Sequence, residues 1–300
     1  MEYCGILPIF KPQGFTSFDV IAKLRGILRM RRIGHAGTLD PMATGVLPVF
    51  LGNATRACDI IPCDTKAYSA GFELGITTDT QDITGVVLDK SSRAVSLEEL
   101  ERACLSFRGT LRQLPPMYSA VTVNGRRLYD LAREGITVER EAKEITVHRI
   151  TLTQYSPETR TGSLELEVSR GTYIRTIIHD LGSLLGCGGT MTSLVRTSSA
   201  GIALSECLTL EEISALCKEN MLSEKIIPTE RLFESLARVE LDEVQTKMYK
   251  NGVKLDISRI DGAPTASCRC GVYGGGAFIG TGRIDIECGE LSVEKNFTHQ

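Results

Sequence analysis

Gly34 to Arg56 reads GHAGTLDPMATGVLPVFLGNATR, a stretch with two prolines, no Lys, no Glu and one carboxylate, Asp40. Pro41 biases Asp40 away from helical angles, which puts the acid on a loop or at a turn. Glycines at 34, 37 and 45 let the backbone bend and let another group approach closely. Asp40-Pro41 is equally a helix N-cap followed by Pro at the first helical position. Either arrangement favours an ionised carboxylate, and an ionised Asp can serve as a nucleophile.

The chain has 300 residues, 42% of them hydrophobic, which sets an expectation of two domains, or one large and one small. No apolar run is long enough to span a bilayer and no export signal is visible at the N-terminus, so a cytoplasmic protein without a membrane partner is expected. The ten cysteines include no C-x-x-C pair, and Cys268 and Cys270 lack a matching pair, so reduced thiols and no metal are expected. The formal net charge is −3, which argues against nucleic acid only in total. Lys23, Arg25, Arg29, Arg31 and Arg32 form one acid-free island, and Arg126, Arg127 and Arg133 a second. Local patches set phosphate affinity, although a solvated helix face looks the same in sequence.

Working outward on the N-terminal side, residues 3–10 read as a strand. KPQGFTS, Lys11 to Ser17, reads as a turn, with Ser17 placed to cap a helix over 18–30. Lys11 either reaches a phosphate or sits at the surface. On the C-terminal side, Lys66 to Gly75 is a strand with Tyr68, Ala70, Phe72 and Leu74 on one face, Tyr68 being a core aromatic or a stacking platform. TTDTQDITG, from Thr77, reads as a solvated loop. A capping box at Ser96 and Glu99 opens a helix over 97–107. Asn124-Gly125 signals a hairpin, followed by a short basic helix with Leu128 and Leu131 inward. Basic residues interleaved with tyrosines suit unpaired RNA, or simply a hairpin. Leu164, Leu166 and Val168 alternate with acids as a strand. After Arg170-Gly171-Thr172-Tyr173-Ile174-Arg175, a helical stripe runs from Ile174 to Leu185, so Tyr173 and Arg175 stand at a strand-to-helix junction. Arg175 there needs an anionic partner, with Asp40, Asp180 or a phosphate as candidates. Thr209 and Glu212 cap a further helix. A linker near 228–236 leads to short β-type runs.

The motifs KPQGFTS, GHAGTLDPMATGVLPVFLGNATR, KAYSAGFELGITTDTQD, PPMYSAV with GRRLYDLAREG, and RGTYIRTIIHDLGSLLGCGG occur in one order, over about residues 5–235. That order resembles the bacterial TruB-type tRNA pseudouridine-55 synthases. The resemblance implies an α+β fold around a mixed, mainly antiparallel sheet. It implies a catalytic domain over 1–230, an RNA-clamping insertion at about 115–150, and a small β-rich PUA-like RNA-binding domain over 237–300. It makes Asp40 the catalytic aspartate, paired with Arg175. The same resemblance implies that Tyr68 stacks on the target uracil, that Leu194 walls its pocket, that Tyr173 is the substrate-binding tyrosine of the R-G-T-Y-I-R motif, that His35 helps hold flipped nucleotides and that Lys11 supports the loop. From the two basic islands, Arg126, Arg127, Arg31 and Arg32 are expected to contact RNA. The expected partner is the T-arm stem-loop of tRNA, bound by a monomer with no guide RNA and no cofactor, because the isomerisation needs neither redox nor energy input. A non-catalytic tRNA-folding chaperone would need the same basic surfaces. A glycosidic hydrolase would need a second acid beside Asp40, which the central stretch lacks.

Overall fold

The computed structural model describes residues 3–63 and 65–298, and these fall into two compact units. One holds the chain up to Pro41, Val46–Cys63 and everything from Ala200; the other holds Met42–Gly45 and the segment up to Ser199. No helix among the described residues is long and apolar enough to cross a membrane.

In the first unit, strands Gly5–Lys11 and Thr44–Leu51 lie side by side, and Ile33–His35 pairs antiparallel with the latter. Both long strands are buried on both faces, so they read as continuous apolar runs. Side chains still alternate: Leu7, Ile9, Leu47, Val49 and Leu51 face one cluster, while Ile6, Val46 and Phe50 face another. Helix Ser17–Leu28 lays Val20, Ile21, Leu24 and Leu28 onto the first cluster. Its cap is Thr16 rather than Ser17. Thr16 Oγ1 accepts from the Asp19 amide at 3.0 Å, and Asp19 accepts from the Thr16 amide at 2.8 Å, a reciprocal capping box. Ser17 is thereby turned inward.

The same unit contains a five-stranded sheet in the order Ala237–Leu241, Cys268–Gly274, Ala277–Asp285, Glu290–Asn296, Leu255–Asp256, with its own core around Val239, Val272 and Leu291. The expected linker near 228–236 is instead packed. Residues Thr229–Phe233 form a 3-10 turn with Leu232 and Phe233 buried, and Phe233 lies 5.7 Å from Phe278 and 5.8 Å from Phe297, ring centre to ring centre. Aromatic rings inside a polar run anchor it, because leaving them in water would forfeit their burial.

In the second unit the strands run Gly189–Ser199, Lys66–Leu74, Thr161–Val168, Lys143–Ser156, Gly109–Gln113, all antiparallel. The exception is Thr44–Gly45, which pairs parallel with Val195–Arg196. The architecture is mixed α+β with a mainly antiparallel sheet. Helix Ile174–Leu184 packs on Gly189–Ser199 through Gly182, where a Cβ would meet the Gly188–Gly189 peptide at 2.2 Å. That approach fixes the helix depth, and with it the position of Arg175.

Candidate active site

The Asp40 loop is held by the peptides on either side of the acid. Lys11, the last residue of its strand, is fully buried, and its ammonium donates to the carbonyls of Phe15 at 2.6 Å, Pro12 at 2.9 Å and Pro41 at 3.3 Å. The Gly14 amide donates to the same Pro41 carbonyl at 2.8 Å. On the other side, the Leu39 amide donates to Ser17 Oγ at 3.0 Å. Burying an ammonium costs several kcal/mol, and converging charge-assisted bonds of about 1.5–3 kcal/mol each offset it. Lys11 is therefore a structural cation beneath the loop rather than a surface phosphate ligand. No helix follows Asp40: Pro41 and Met42 form a turn and a strand starts at Thr44, so the N-cap alternative falls away. Asp40 is half-buried. His35, at the head of the loop, meets Phe18 edge to face at 5.5 Å.

In the second unit, Tyr68 and Leu194 share one face of the sheet. Leu194 pairs with Ala70, and Tyr68 pairs with Arg196 and Leu166. Directly opposed residues in antiparallel strands point to the same side, so Leu194 and Tyr68 are diagonal neighbours. Tyr68 and Leu194 are each 7% exposed. The register slips at Thr192 and again at Thr197, bracketing this segment. Bulges of this kind re-aim the side chains between them. Arg196 lies on the same face, fully buried, and sequence reasoning missed it. Gly45 sits against its backbone at φ +101°, where a Cβ would meet the Arg196 carbonyl oxygen at 2.3 Å.

Tyr173 and Arg175 head helix Ile174–Leu184, at the expected junction. Gln113, also unforeseen, clamps Tyr173 from both sides: its Oε1 accepts from the Tyr173 amide at 2.8 Å and its Nε2 donates to the Tyr173 carbonyl at 3.0 Å. Arg175 is 4% exposed and donates to the carbonyls of Thr80 at 2.8 Å and Tyr118 at 2.9 Å, with Asp82 at 3.8 Å. Asp82 is 5% exposed and its Oδ1 accepts from Thr84 Oγ1, Thr80 Oγ1 and the Thr84 amide at 2.6, 2.9 and 3.0 Å. The stretch expected to be solvated, TTDTQDITG, is thus the seat of Arg175. The closely spaced threonines and acids were its signal, because each short side chain can bond a backbone two residues away. It is also tied to the sheet, the Ile83 amide donating to the Met191 carbonyl at 2.9 Å. The Tyr118 hydroxyl donates to Asp79 at 3.2 Å; burial and that carboxylate hold its phenol above the usual value.

The basic residues divide. Arg126 and Arg127 are exposed on a hairpin whose Asn124-Gly125 turn has φ of 50° and 80°. Arg127 and Arg133 lie over the Tyr129 ring at 5.8 and 5.4 Å, and Arg126 pairs with Glu134. Leu128 and Leu131 point inward from helix Leu128–Arg133, as their spacing implies. Arg31 and Arg32 are both exposed, and Arg32 also binds Asn53 at 2.5 Å and Thr55 at 3.2 Å, bracing the 3-10 turn Gly52–Ala57.

Two family models match the chain: the TruB family pseudouridylate synthase N-terminal domain over residues 25–174, and the tRNA pseudouridylate synthase B C-terminal domain over 175–234. Among curated proteins, the tRNA pseudouridine synthase B of Clostridium tetani is 41% identical over 281 residues, covering 93% of this chain and 95% of that one. Its counterpart from Dehalococcoides mccartyi is 43% identical over 259 residues, covering 86% and 85%. Among solved structures, a chain of a Cbf5-Nop10-Gar1 complex superposes with a TM-score of 0.76 at 25% identity, covering 98% of this chain and 85% of that one. A chain of an H/ACA RNP bound to a substrate RNA superposes at 0.75 and 23% identity, covering 98% and 85%, a likeness of fold.

Proposed function

The chain belongs to the TruB family of pseudouridylate synthases and is a tRNA pseudouridine synthase; from that premise we propose that it isomerises the uridine at position 55, in the T-arm loop, with Asp40 as the catalytic carboxylate. The observation that carries the assignment of Asp40 is its seating: the peptides flanking it are pinned by buried Ser17 and Lys11. A reacting group must be held in place before the substrate arrives, because repositioning it during the reaction adds to the barrier. Only Pro41, Met42 and Ala43 separate Asp40 from Thr44, which pairs with Val195 next to Leu194.

The reaction breaks the bond from ribose C1′ to uracil N1 and remakes it to C5. N1 gains a proton and C5 loses one, so no cofactor is required. The uridine first leaves the loop stack, at a cost of roughly a few kcal/mol. Phosphate contacts from Arg126, Arg127, Arg31 and Arg32 offset that cost, and His35 occupies the vacated space. Tyr68 stacks on the extruded uracil and Leu194 walls the slot that retains it after detachment. Arg175 supplies the cation that orients Asp40, and Tyr173 flanks it. Residues 237–300 serve as a PUA-like RNA module, and the 115–150 insertion suits an enzyme that works as a cytoplasmic monomer without a guide RNA. Incubating the purified protein with an unmodified T-arm stem-loop and analysing its nucleosides tests the reading. Pseudouridine at the expected position supports it; unaltered uridine in both the stem-loop and a whole tRNA transcript refutes it.

A further inference from the structure

Phe18 is 64% exposed and is the one exposed Phe or Tyr among the described residues. It occupies the first turn of helix Ser17–Leu28, beside a residue that looks inward: Ser17 is fully buried and bonds the Leu39 main chain. A ring left in water at such a position forfeits its burial and contributes nothing to the core that Val20 and Ile21 already make. Its edge-to-face partner is His35, at an interplanar angle of 84°, so the two rings form a right-angled corner on the unit that carries Asp40. Counting along the helix, Phe18, Ala22 and Arg25 stand at i, i+4 and i+7, one stripe, and all three are exposed. Arg29 follows as the C-cap of the helix, at φ 52°, and is exposed as well. An open π-face followed by guanidinium groups on one surface is the pattern that binds unpaired nucleic acid, with bases on the ring and phosphates on the cations.

We propose that Phe18 is a stacking platform for an unpaired base of the bound RNA, other than the uridine that reacts. The proposal rests on the tRNA reading above and adds a substrate-contacting residue to it. Every base has a π-face, so the platform holds the strand without reading its sequence. Its contribution lies in binding and in register, with Arg25 and Arg29 taking the neighbouring phosphates.

The chain contains no tryptophan, so Phe18→Trp creates a single fluorescent reporter at the site. Titration with the T-arm stem-loop is expected to quench that tryptophan, in step with binding measured by filter retention, while pseudouridine formation continues. Phe18→Leu keeps an apolar side chain but removes the π-face. It is expected to weaken binding and raise KM by about tenfold with kcat nearly unchanged, whereas Phe18→Tyr behaves as wild type. A ring that only propped His35 would lose its effect once the imidazole is gone, so the Phe18→Leu loss is expected to persist in a His35→Ala background. Unmoved fluorescence at saturating RNA, wild-type binding by Phe18→Leu, or a loss that vanishes with His35→Ala overturns the platform. A wild type that forms pseudouridine alongside an unquenched Phe18→Trp variant rejects the platform alone. A quenched Phe18→Trp variant alongside an inactive wild type rejects the proposed activity and leaves the platform standing.

Discussion

The loop around Asp40 and the segment 120–135 are both polar and turn-rich, yet the fold treats them in opposite ways. Around Asp40, a fully buried lysine and a fully buried serine grip the peptides before and after the acid. In 120–135, Leu128 and Leu131 are the buried anchors, and Arg126, Arg127 and Arg133 extend around them over Tyr129 and Glu134. The first segment spends buried polar groups on immobility, and the second keeps long cationic side chains where they can follow a phosphate chain. Under the proposed function the first is a site for bond making and the second a surface for RNA capture; the two have different physical requirements, and substitutions in them should fail differently.

The sharpest contrast is expected from Asp40→Asn, which should cut pseudouridine formation by more than about a thousandfold while stem-loop binding in a filter assay persists. Lost binding, or retained turnover, removes Asp40 from its role. Lys11→Met comes next. The carbonyls of Pro12 and Phe15 lose the ammonium and that of Pro41 keeps only the Gly14 amide, so chemical denaturation should show the protein destabilised by about 3 kcal/mol, with activity falling because the loop slackens. A variant as stable as wild type would mean that the lysine does not hold the loop. Asp82→Ala removes the carboxylate 3.8 Å from Arg175 and the acceptor of the Thr84 hydroxyl and amide; about 2 kcal/mol of stability should be lost, and turnover should fall more than RNA binding. Equal falls in both would instead point to a general loss of fold. The smallest effect on the folded protein belongs to Arg126→Glu with Arg127→Glu. Its denaturation midpoint should stay near wild type, while RNA affinity drops and the log–log salt dependence flattens by roughly 1 to 2. An unchanged slope would take the hairpin out of the interface.

Much of this arrangement is written in local patterns. The capping boxes at Ser96 and Thr209 and the Asn124-Gly125 turn appear where short-range chemistry puts them. So does the alternating face of Lys66–Leu74, with Tyr68 on its buried side. These are interactions between residues a few positions apart, and spacing alone exposes them. Ser17 shows the limit even at short range: two adjacent hydroxyls could cap the helix, and Asp19, three residues after Thr16, selects Thr16. The packed run at 229–233 was less legible, since Phe233 meets rings such as Phe278 and Phe297 that lie far along the chain.

The ordered motifs of one chain sufficed for the family, the resemblance carried the α+β class with it, and Asp40 stood out as the acid to watch, because motif chemistry is carried by neighbours in sequence. Folding was needed to learn that Lys11 is buried, that Asp82 and not a solvated loop seats Arg175, and that Gln113 grips Tyr173. Pro41 lies 30 positions from Lys11, Tyr173 60 from Gln113 and Asp82 93 from Arg175. A buried charge or amide can be matched only after the chain has brought distant peptides together, so which polar groups are satisfied is a property of the tertiary structure.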